Sequence, residues 1–422
     1  MSSLQPVRGT YDLLPEAMRR HRAVIDTARE VAARYGFQEM ATPIFEFTEV
    51  FKRTLGDTSD IVTKEMYTFA MGGEKAAKDE EGATITLRPE NTAGVARAFI
   101  SGGLAQQVPV KAFYAGPMFR HERPQKGRQR QFHQFGVELI GVAQPQADIE
   151  VIACGAHILD ALGLSDAVKL ELNTLGDAAS RAAYREALVE YFTRHRHALS
   201  EDSRDRLTRN PLRILDSKDE GDRALVADAP RFAEYLNHDS QRFFVDVRQG
   251  LDALGIDYSL NDRLVRGLDY YCHTAFEFTT DRLGAQSAVM AGGRYDGLIE
   301  TMGGPPTPGV GWASGVERLA MLLAADIPAP RPIVVVPVGE AAQATALKVT
   351  QDLRHAGFVV ELGYTGNLKK RLQRANKMHA RAALLFGEEE LAAHSATLRD
   401  LDSGEQELVS LNSLAERLSR LA

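Results

Sequence analysis

The segment FRHERPQKGRQRQFHQFGVELIG, residues 119–141, carries five Arg or Lys, two His and only two acidic residues. Apolar sequences stand on both sides of its basic part, KAFYAG before it and VELIG after it. Such flanks are typical of strands, so the segment is predicted to be an antiparallel hairpin with a basic loop, not a disordered basic tail. The loop could then be a metal site, a solvated turn or a nucleotide-binding site.

The residue types favour the nucleotide site. His121 and His133 lie twelve positions apart with no cysteine nearby, and five cationic side chains would repel a divalent ion. A solvated turn is the ordinary explanation for such a loop. However, the arginine guanidinium is a rigid fork that matches phosphate oxygens, and Phe132 offers a flat face for a base. Gly127 would let the backbone approach a ligand closely.

The composition limits the class of protein. A chain of 422 residues suggests two or three domains, and 44% hydrophobic residues with 25% charged residues is ordinary for a globular protein. A net charge of −7 argues against a protein whose whole surface binds nucleic acid. Cys154 and Cys272 offer no disulfide framework, which fits a reducing compartment. The N-terminus has no signal-peptide core, and no apolar run approaches the ~20 residues that cross a bilayer. These features predict a cytoplasmic protein without a membrane partner.

The order of predicted elements indicates an α+β first domain, residues 1–326, built on an antiparallel sheet. Between about residues 177 and 257, long charged helical stretches replace the strand pattern, and they are interpreted as a helical insertion. IPAPRP, residues 327–332, is typical of a linker. Residues 333–422 alternate strands and helices, which predicts a C-terminal α/β domain with parallel pairing.

Local patterns predict individual elements of the first domain. A helix is predicted from Pro15 to Tyr35, because apolar residues recur at helical spacing and Gly36 can end it. GGPPTPGVG, residues 303–311, is predicted to be a loop before the apolar helix SGVERLAMLLAA. Strands are predicted at TITLRP, KAFYAG, VELIG, VKLELNTLG, RGLDYYCHTAFEFTTD and SAVMAGGRYDGLI.

The hairpin segment resembles motif 2 of class II aminoacyl-tRNA synthetases, in the form found in histidyl-tRNA synthetases. Other segments resemble this family in the same order along nearly the whole chain. They are RGTYDLLP (8–15), GFQEMATPIFEF (36–47, like motif 1), TLRPENTAGVARA (86–98), LVRGLDYYCHTAFEF (264–278), AGGRYDGL (291–298) and GVGWASGVERLAML (309–322, like motif 3). The resemblance implies a class II synthetase-like catalytic domain, an ATP-dependent ligase that joins L-histidine to tRNA(His), and a homodimer with Pro43 at its interface.

The resemblance also implies a role for each basic residue at the ATP site. Arg120 and Arg266 would be the catalytic residues beside the α-phosphate, where they neutralise charge that builds as the histidine carboxylate attacks. Arg266 would replace a metal ion on which other class II members rely more, because a guanidinium is permanently charged. Mg²⁺ is expected with the ATP phosphates, without a dedicated protein site. The ATP-binding residues implied are Arg120, Glu122, Arg128, Phe132 and Arg318.

The histidine pocket is implied in the same way. Glu90 and Thr92 would hold the α-ammonium group, while Glu138 and Tyr271 would bind the two imidazole nitrogens. A pocket with a partner for each ring nitrogen rejects isosteric side chains, because those would leave buried polar groups unpaired. The full set of histidine-binding residues implied is Glu90, Thr92, Arg120, Gln134, Glu138, Arg266, Tyr270, Tyr271 and Tyr295.

Strand alternation gives an independent expectation for two of these positions. It puts Glu138 on the face opposite Val137 and Leu139, which suits a site residue, although an ordinary outward-facing strand residue is the alternative. The same alternation predicts that at most one of Tyr270 and Tyr271 faces the ligand directly.

Some residues depart from the family pattern or stand outside the predicted site. Asn91 stands where the family usually has Gly, and Asn is the next most tolerant residue if a positive φ is needed. Cys272 and His273 stand where Asn or Thr followed by Arg is common. Within GGRYDG, Arg294 and Asp296 are interpreted as a structural ion pair.

The C-terminal domain contains a local basic segment, GNLKKRLQRANKMHAR (366–381), with six Lys or Arg and no acid. A solvated helix face is the usual explanation. The resemblance of this domain to the anticodon-binding domain of related synthetases favours contacts with RNA phosphates instead. The tRNA-binding residues predicted are Lys369, Lys370, Arg371, Arg374 and Lys377.

Two other functions compete with the ligase. A synthetase-like regulatory subunit of ATP phosphoribosyltransferase would bind ligands without charging tRNA. Such relatives usually lack the C-terminal domain and lose the RGLDYY segment, whereas this chain has both. A non-enzymatic RNA-binding protein would use the 366–381 segment alone, and it leaves the arginines and the Glu/Tyr pairs of the first domain unexplained.

Overall fold

The structure, a computed structural model, describes residues 4–56, 61–70, 84–125, 127–215, 217, 219–264, 270–284, 287–324 and 327–421. The chain divides into two compact units, residues 1–327 and 328–422. Across the described ranges, we find no helix with both the length and the apolar character needed to cross a bilayer.

The strands of the first unit form two sheets. They are β1 (Gln38–Glu39), β2 (Phe45–Phe47), β3 (Tyr67–Ala70), β4 (Thr84–Leu87), β5 (Val110–Phe119), β6 (Gln131–Ile140), β7 (Lys169–Thr174), β8 (Ser259–Leu260), β9 (Cys272–Thr279), β10 (Ala288–Arg294) and β11 (Gly309–Gly315). The large sheet has the order β1-β5-β6-β11-β10-β9-β7-β8 and is antiparallel except for the pairs β1–β5 and β7–β8. β2, β4 and β3 form a small antiparallel sheet. The predicted α+β domain on an antiparallel sheet is confirmed.

The helices of this unit include the predicted first helix, which ends at Arg34, one residue before the predicted end. Gly36 follows with a φ of 81°, a left-handed conformation that stops a helix. A turn of π-helix occurs at Ile61–Glu65, and turns of 3₁₀-helix occur at Leu104–Gln107, Ser165–Ala167, Arg196–Ala198, Pro211–Ile214 and Phe232–Tyr235. The α-helices are α1 (Pro15–Arg34), α2 (Thr48–Leu55), α3 (Thr92–Ser101), α4 (Pro145–Ala161), α5 (Ala178–Arg194), α6 (Glu201–Arg209), α7 (Glu220–Ala227), α8 (His238–Ala253), α9 (Leu298–Thr301) and α10 (Val316–Leu322).

The main core lies on one face of the large sheet, under α1, α4 and α8. Val137 and Leu139 of β6 and Phe276 and Phe278 of β9 contribute to it. Successive strand residues point to opposite faces, so the acidic residues between these apolar ones point away from the core. The pattern therefore leaves the opposite face of β6 and β9 available for polar side chains.

The predicted helical insertion contains a small core of its own. Tyr184, Leu188 and Phe192 of α5 pack there with residues of α6 and α7. Helix α8, at the end of the predicted insertion, instead contributes Val247 and Leu251 to the main core. The insertion is thus tied to the sheet through its last helix, because the same helix closes that core.

The structure differs from the sequence prediction at residues 309–311, where strand β11 replaces the predicted loop. Gly311 pairs with Glu138 of β6, and a Cβ at Gly311 would lie 1.9 Å from Glu138 Oε2. Glycine suggested a loop because it weakens strands. Here the missing side chain provides the space in which the Glu138 carboxylate lies against the sheet.

The second unit is an α/β domain, as predicted. Its strands are β12 (Ile333–Pro337), β13 (Val360–Leu362), β14 (Ala382–Phe386), β15 (Ser395–Asp400) and β16 (Gln406–Ser410), in the order β13-β12-β14-β15-β16. Its helices are α11 (Gln343–His355), α12 (Leu368–Lys377), α13 (Glu388–Ala392) and α14 (Leu414–Ser419), with a short turn at Leu411–Ser413. Pairing is parallel in β12–β13 and β12–β14, as expected, but antiparallel in β14–β15 and β15–β16. The short connections before and after β15 have no room for the crossover that parallel pairing needs.

Candidate active site

A cavity of about 430 Å³ gathers most of the predicted site residues of the first unit. Glu138 and Tyr295 lie behind its wall and are joined to it by hydrogen bonds. Arg266 lies outside the described residues, so its role stays a prediction. The predicted residues that line the cavity are Glu90, Thr92, Arg120, Glu122, Arg128, Phe132, Gln134, Tyr270, Tyr271 and Arg318.

The cavity also has polar lining residues that the sequence analysis missed, among them Gln129, Glu277, Ser287 and Glu317. Glu277 could have been found, because it alternates with core residues of β9 just as Glu138 alternates with core residues of β6. Gln129 and Ser287 had no comparable signal, since both stand outside regular strands.

Three arginines converge at one end of the cavity. Arg318 of α10 donates from Nη1 to the carbonyl of Ala288 at 2.5 Å and from Nε to the carbonyl of Gly127 at 3.2 Å. Burial, followed by the charges of Arg128 and Arg120, lowers the pKa of Arg318. Positive charges that repel one another in a partly buried place suit a polyanionic ligand.

The loop between β5 and β6 holds two of these arginines. Glu122 contacts Arg128 at 2.5 Å and Arg120 at 3.8 Å, and the Arg120 Nε donates to the Pro89 carbonyl at 2.9 Å. The Arg120 guanidinium also lies over the Phe132 ring, 5.2 Å from its centroid. A base could therefore stack only on the other face of Phe132. The loop has the rigid support that a phosphate site requires.

The acidic end of the cavity is built on the start of α3. Glu90 accepts backbone N–H bonds from Thr92 at 2.7 Å and from Ala93 at 2.9 Å. Burial raises the pKa of Glu90, while these N–H bonds and the charge of Arg120 oppose the rise. A carboxylate has about four acceptor positions, so Glu90 can also accept from a ligand cation.

A buried hydrogen-bond chain supports this end from behind. Glu138, 1% exposed, accepts from the Thr92 hydroxyl at 2.7 Å and from the Tyr295 hydroxyl at 2.5 Å. Burial raises the pKa of Glu138 to about 8, while the bonds from Tyr295 and Thr92 oppose the rise. The buried Gln134 Oε1, also on the cavity wall, accepts no hydrogen bond from any residue that the structure describes. Such an atom is a natural contact for a ligand donor.

Tyr270 and Tyr271 both line the cavity, whereas strand alternation predicted that at most one of them faces the ligand directly. Their rings lie 4.6 Å apart, and β9 begins only at Cys272. Strand alternation therefore does not apply to the pair.

The departures from the family pattern have structural explanations. Asn91 has a φ of −120°, so positive φ is not the reason for its presence. Its Oδ1 instead accepts from the Thr42 hydroxyl at 2.7 Å and from Arg88 Nη1 at 3.2 Å. Burial raises the pKa of Cys272 to about 12, which keeps it a thiol and argues against a nucleophile. His273 has a φ of 43°, which is unusual for a residue with a side chain.

The two histidines of the opening segment have separate packing partners. The His121 ring stands edge-on to Tyr67, with centroids 5.4 Å apart. The His133 backbone N–H and its Nδ1 both reach the carboxylate of Glu317, at 2.9 Å each to Oε1, and the His21 ring lies edge-on beside it. His133 thereby fixes the start of α10, which carries Arg318.

The ion pair predicted within GGRYDG is present, with Arg294 fully buried and Asp296 partly exposed. Arg294 contacts Asp296 at 3.0 Å and also contacts Asp148 of α4, with both Arg294 and Asp148 fully buried. Arg294 directly precedes Tyr295 in the sequence. The pair thus anchors the strand end from which Tyr295 reaches Glu138.

In the second unit, the predicted RNA-binding residues divide in two. Lys369, Lys370, Arg374 and Lys377 are exposed on α12. Arg371 is half-buried, and its Nη1 donates to the Pro337 carbonyl of the same unit. Four of the five cations are therefore accessible to a phosphate backbone.

Comparison with known proteins gives concordant matches over the full chain. The family model described as histidyl-tRNA synthetase matches residues 9–319, and the one described as anticodon binding domain matches residues 332–421. The chain is 63% identical to the histidine–tRNA ligase of Rhodospirillum rubrum over 421 residues, which is 100% of both chains. It is 57% identical to the same ligase of Gluconacetobacter diazotrophicus, again over 100% of both chains. The crystal structure of apo histidyl-tRNA synthetase from S. aureus matches it with a TM-score of 0.81 and 36% identity, over 98% of this chain and 99% of that chain.

Proposed function

The chain belongs to the histidyl-tRNA synthetase family, and from this premise we propose how its residues carry out the reaction. It is an ATP-dependent aminoacyl-tRNA ligase that activates L-histidine as histidyl-adenylate and transfers the histidyl group to the 3′ end of tRNA(His). The regulatory-subunit alternative is not favoured, because full-length relatives at this identity are ligases and the C-terminal domain is present.

In the first step, a histidine carboxylate oxygen attacks the α-phosphorus of ATP, and the bond to the β-phosphate breaks to release pyrophosphate. Arg120 and Arg266 stabilise the charge that accumulates on the α-phosphate. Arg128 and Arg318 bind the outer phosphates, and adenine stacks on Phe132. The observation that carries this assignment is the convergence of three arginines on one end of a cavity whose other end is acidic. Catalysis then rests on positioning and electrostatics, without a protein nucleophile.

Histidine binds at the acidic end. Glu90 and Thr92 accept hydrogen bonds from the α-ammonium group. The buried amide oxygen of Gln134 accepts a hydrogen bond from another donor of the ligand. Glu138 exchanges one of its present hydroxyl donors for an imidazole N–H, and Tyr271 lies beside the other ring nitrogen. Without a ligand, Glu138 is protonated below about pH 8, and a bound imidazole N–H favours its carboxylate form, which accepts an N–H more strongly than a neutral isostere can.

Mg²⁺ enters with ATP as part of the substrate. It prefers oxygen ligands and usually binds through one or two carboxylates together with substrate phosphates. Glu277 is a cavity carboxylate that fits this role, since it stands at the arginine end, where its charge opposes the lowering of the pKa of Arg318. Glu122 is already in contact with Arg128 and is assigned to the adenine or ribose of ATP. The ion would neutralise part of the charge on the outer phosphates.

The transfer step involves the second unit, which binds tRNA. The exposed cations of α12 bind phosphates of tRNA near the anticodon. We divide the chain into a catalytic domain, residues 1–326, with a helical insertion near 177–257, and an anticodon-binding domain, residues 333–422. A linker at 327–332 joins the two domains. We assign the reaction to the cytoplasm, where the two buried thiols Cys154 and Cys272 stay reduced.

The homodimer forms through an apolar face of the small sheet. Register places Phe45, Tyr67 and Leu87 in one row and Phe47, Phe69 and Ile85 in the next. Phe45, Phe47 and Phe69 are at least half exposed, at 55%, 57% and 50%. Pro43 lies two residues before Phe45 in the chain, and apolar surface of this kind marks an association site. Sedimentation should give a dimer for the wild type and a monomer for Phe47→Glu; a dimer that persists in the variant contradicts this assignment.

Histidine-dependent exchange between ATP and pyrophosphate, followed by charging of tRNA, tests the reaction directly. The wild type should exchange with histidine and not with other amino acids. Folded protein that binds histidine without exchange would support the regulatory-subunit alternative, and folded protein that binds RNA but not ATP would support the RNA-binding one. Arg266→Ala should abolish adenylate formation and keep the fold; near-full activity would refute its role at the α-phosphate.

A further inference from the structure

Strand β9 contains a bulge directly after the two cavity tyrosines. Gly293 of β10 pairs with Ala275, but the next residue, Arg294, pairs with Cys272, so two residues of β9 are displaced from register. One of them is His273, with its left-handed φ of 43°. A residue with a side chain holds this conformation only where its surroundings enforce it. Bulges beside active sites re-aim neighbouring side chains.

The root of the helical insertion, which is the pair Leu175 and Gly176 before α5, holds this bulge in place. Leu175 donates its N–H to the His273 carbonyl at 2.6 Å, and His273 donates its N–H to the Gly176 carbonyl at 2.7 Å. Gly176 has a φ of 56°, and a Cβ there would lie 2.7 Å from the Ser180 side chain. The chain therefore passes between the bulge and α5 with no room for a side chain.

Two side chains next to this root hold the segment that carries the tyrosines. Arg181 of α5 donates from Nη1 to the Tyr271 carbonyl at 2.5 Å. Asn173 of β7 donates from Nδ2 to the Leu264 carbonyl at 2.9 Å. The LVRGLDYY segment is thus tied at its first residue to β7 and at its last residue to the first helix of the insertion.

The Tyr271 ring has little freedom to compensate for a backbone shift. It lies 4.6 Å from the Tyr270 ring, and a Cβ on Gly293 would come within 2.9 Å of Tyr271 Cδ1. A ring packed this closely moves with its backbone, because a packed interior passes displacement on. The Tyr271 carbonyl, to which Arg181 donates, therefore determines the position of the Tyr271 ring in the cavity.

We propose that Arg181 is a positioning residue for histidine recognition, through which the helical insertion sets Tyr271 in the substrate cavity. The inference rests on the proposed histidine-binding role of Tyr271. Arg181 is not among the residues that line the cavity, and it acts through a charge-assisted bond to a main-chain oxygen, a bond about twice as strong as a neutral one. Through this hydrogen bond, the helical insertion contributes to the selection of the amino acid.

Arg181→Ala, Arg181→Lys and Arg185→Ala test this proposal in the full chain, with histidine-dependent ATP–pyrophosphate exchange as the assay. Arg185 is exposed one turn further along α5 and serves as the matched control. Arg181→Ala should raise the KM for histidine roughly tenfold, as expected for a lost hydrogen bond to a charged group, and change the KM for ATP less than twofold. Arg181→Lys should recover most of the effect, because a cation can still reach the carbonyl.

Two results would overturn the inference. One is an Arg181→Ala enzyme that matches Arg185→Ala in its KM for histidine. The other is a parallel change in both KM values and in the melting temperature without rescue by lysine, which indicates a structural role only. An inactive wild type that shows no histidine-dependent exchange would instead count against the proposed function.

Discussion

Replacing Glu138 with Gln tests the buried carboxyl behind the proposed histidine pocket. Burial raises the pKa of Glu138 from 4.5 to about 8. The folded chain therefore holds this proton more tightly than the unfolded chain does. The resulting stabilisation is fully present below about pH 4.5, the unfolded value, and is lost as the pH rises towards 8. At about 1.4 kcal/mol per pH unit, the loss between about pH 5.5 and about pH 7.5 is roughly 3 kcal/mol.

Thermal unfolding without ligands measures this loss. Gln keeps the shape of the side chain but does not titrate, so the melting temperature of Glu138→Gln should change less over this pH range than that of the wild type. Between about pH 5.5 and about pH 7.5, the melting temperature of the wild type should fall by roughly 5 °C more than that of the variant, for a unit of this size. Glu300→Gln, at an exposed position on α9, should follow the wild type. Parallel curves for all three proteins would refute the reasoning from burial.

The same variant tests histidine recognition. An amide oxygen accepts an imidazole N–H less strongly than a carboxylate, so kcat/KM for histidine in the exchange assay should fall roughly 10- to 100-fold. The KM for ATP should stay close to that of the wild type, because Glu138 lies at the acidic end of the site and not among the arginines. An unchanged kcat/KM for histidine would remove Glu138 from the pocket.

Three further perturbations probe other parts of the molecule. Arg318→Ala should lower kcat of exchange by roughly 100-fold, because it removes a preorganised cation. Calorimetry should show unchanged histidine binding, and a weakened one would contradict the division of the cavity into two ends. Arg294→Met leaves Asp148 buried without its partner and should lower the unfolding free energy by roughly 3–5 kcal/mol in denaturant titrations; a double variant with Asp148→Leu should recover much of this, and failure to recover would show that the two residues act separately. Lys369→Glu with Lys370→Glu should reduce kcat/KM for tRNA at least about tenfold and leave exchange intact, whereas a loss of exchange would mean that the change reaches the catalytic unit.

Much of the fold was predictable because it rests on local patterns. Apolar alternation indicated the central strands, and the apolar repeat with Gly36 indicated α1. Two of the errors share one cause, namely that glycine and tyrosine near strand ends carry ambiguous local signals. Gly311 reads as a loop residue until Glu138 is seen to need the space of a missing Cβ. The two tyrosines obey no alternation, because the strand begins after them.

The lining of the candidate cavity was predictable in residue type and only partly in geometry. The resemblance indicated the arginines of the hairpin and the acids of the RPENT segment, and these line one cavity. Gln129 and Ser287 were missed because neither lies in a periodic element. Arg371 was grouped with the exposed cations of α12, although a tertiary contact with Pro337 turns it inward.

The sequence by itself determined the class of the molecule: a two-part chain with an antiparallel α+β domain, a C-terminal α/β domain and the residue types of an ATP- and histidine-binding site. These properties depend on local periodicity and on motif order, which are present in the chain before it folds. Only the tertiary structure decided which side chains meet. Tyr295 reaches Glu138 across 157 residues, and Arg181 reaches the Tyr271 carbonyl across 90. The physical reason is that strand register, a two-residue bulge and the packing of α5 set these distances, and none of the three can be read from either partner's local sequence.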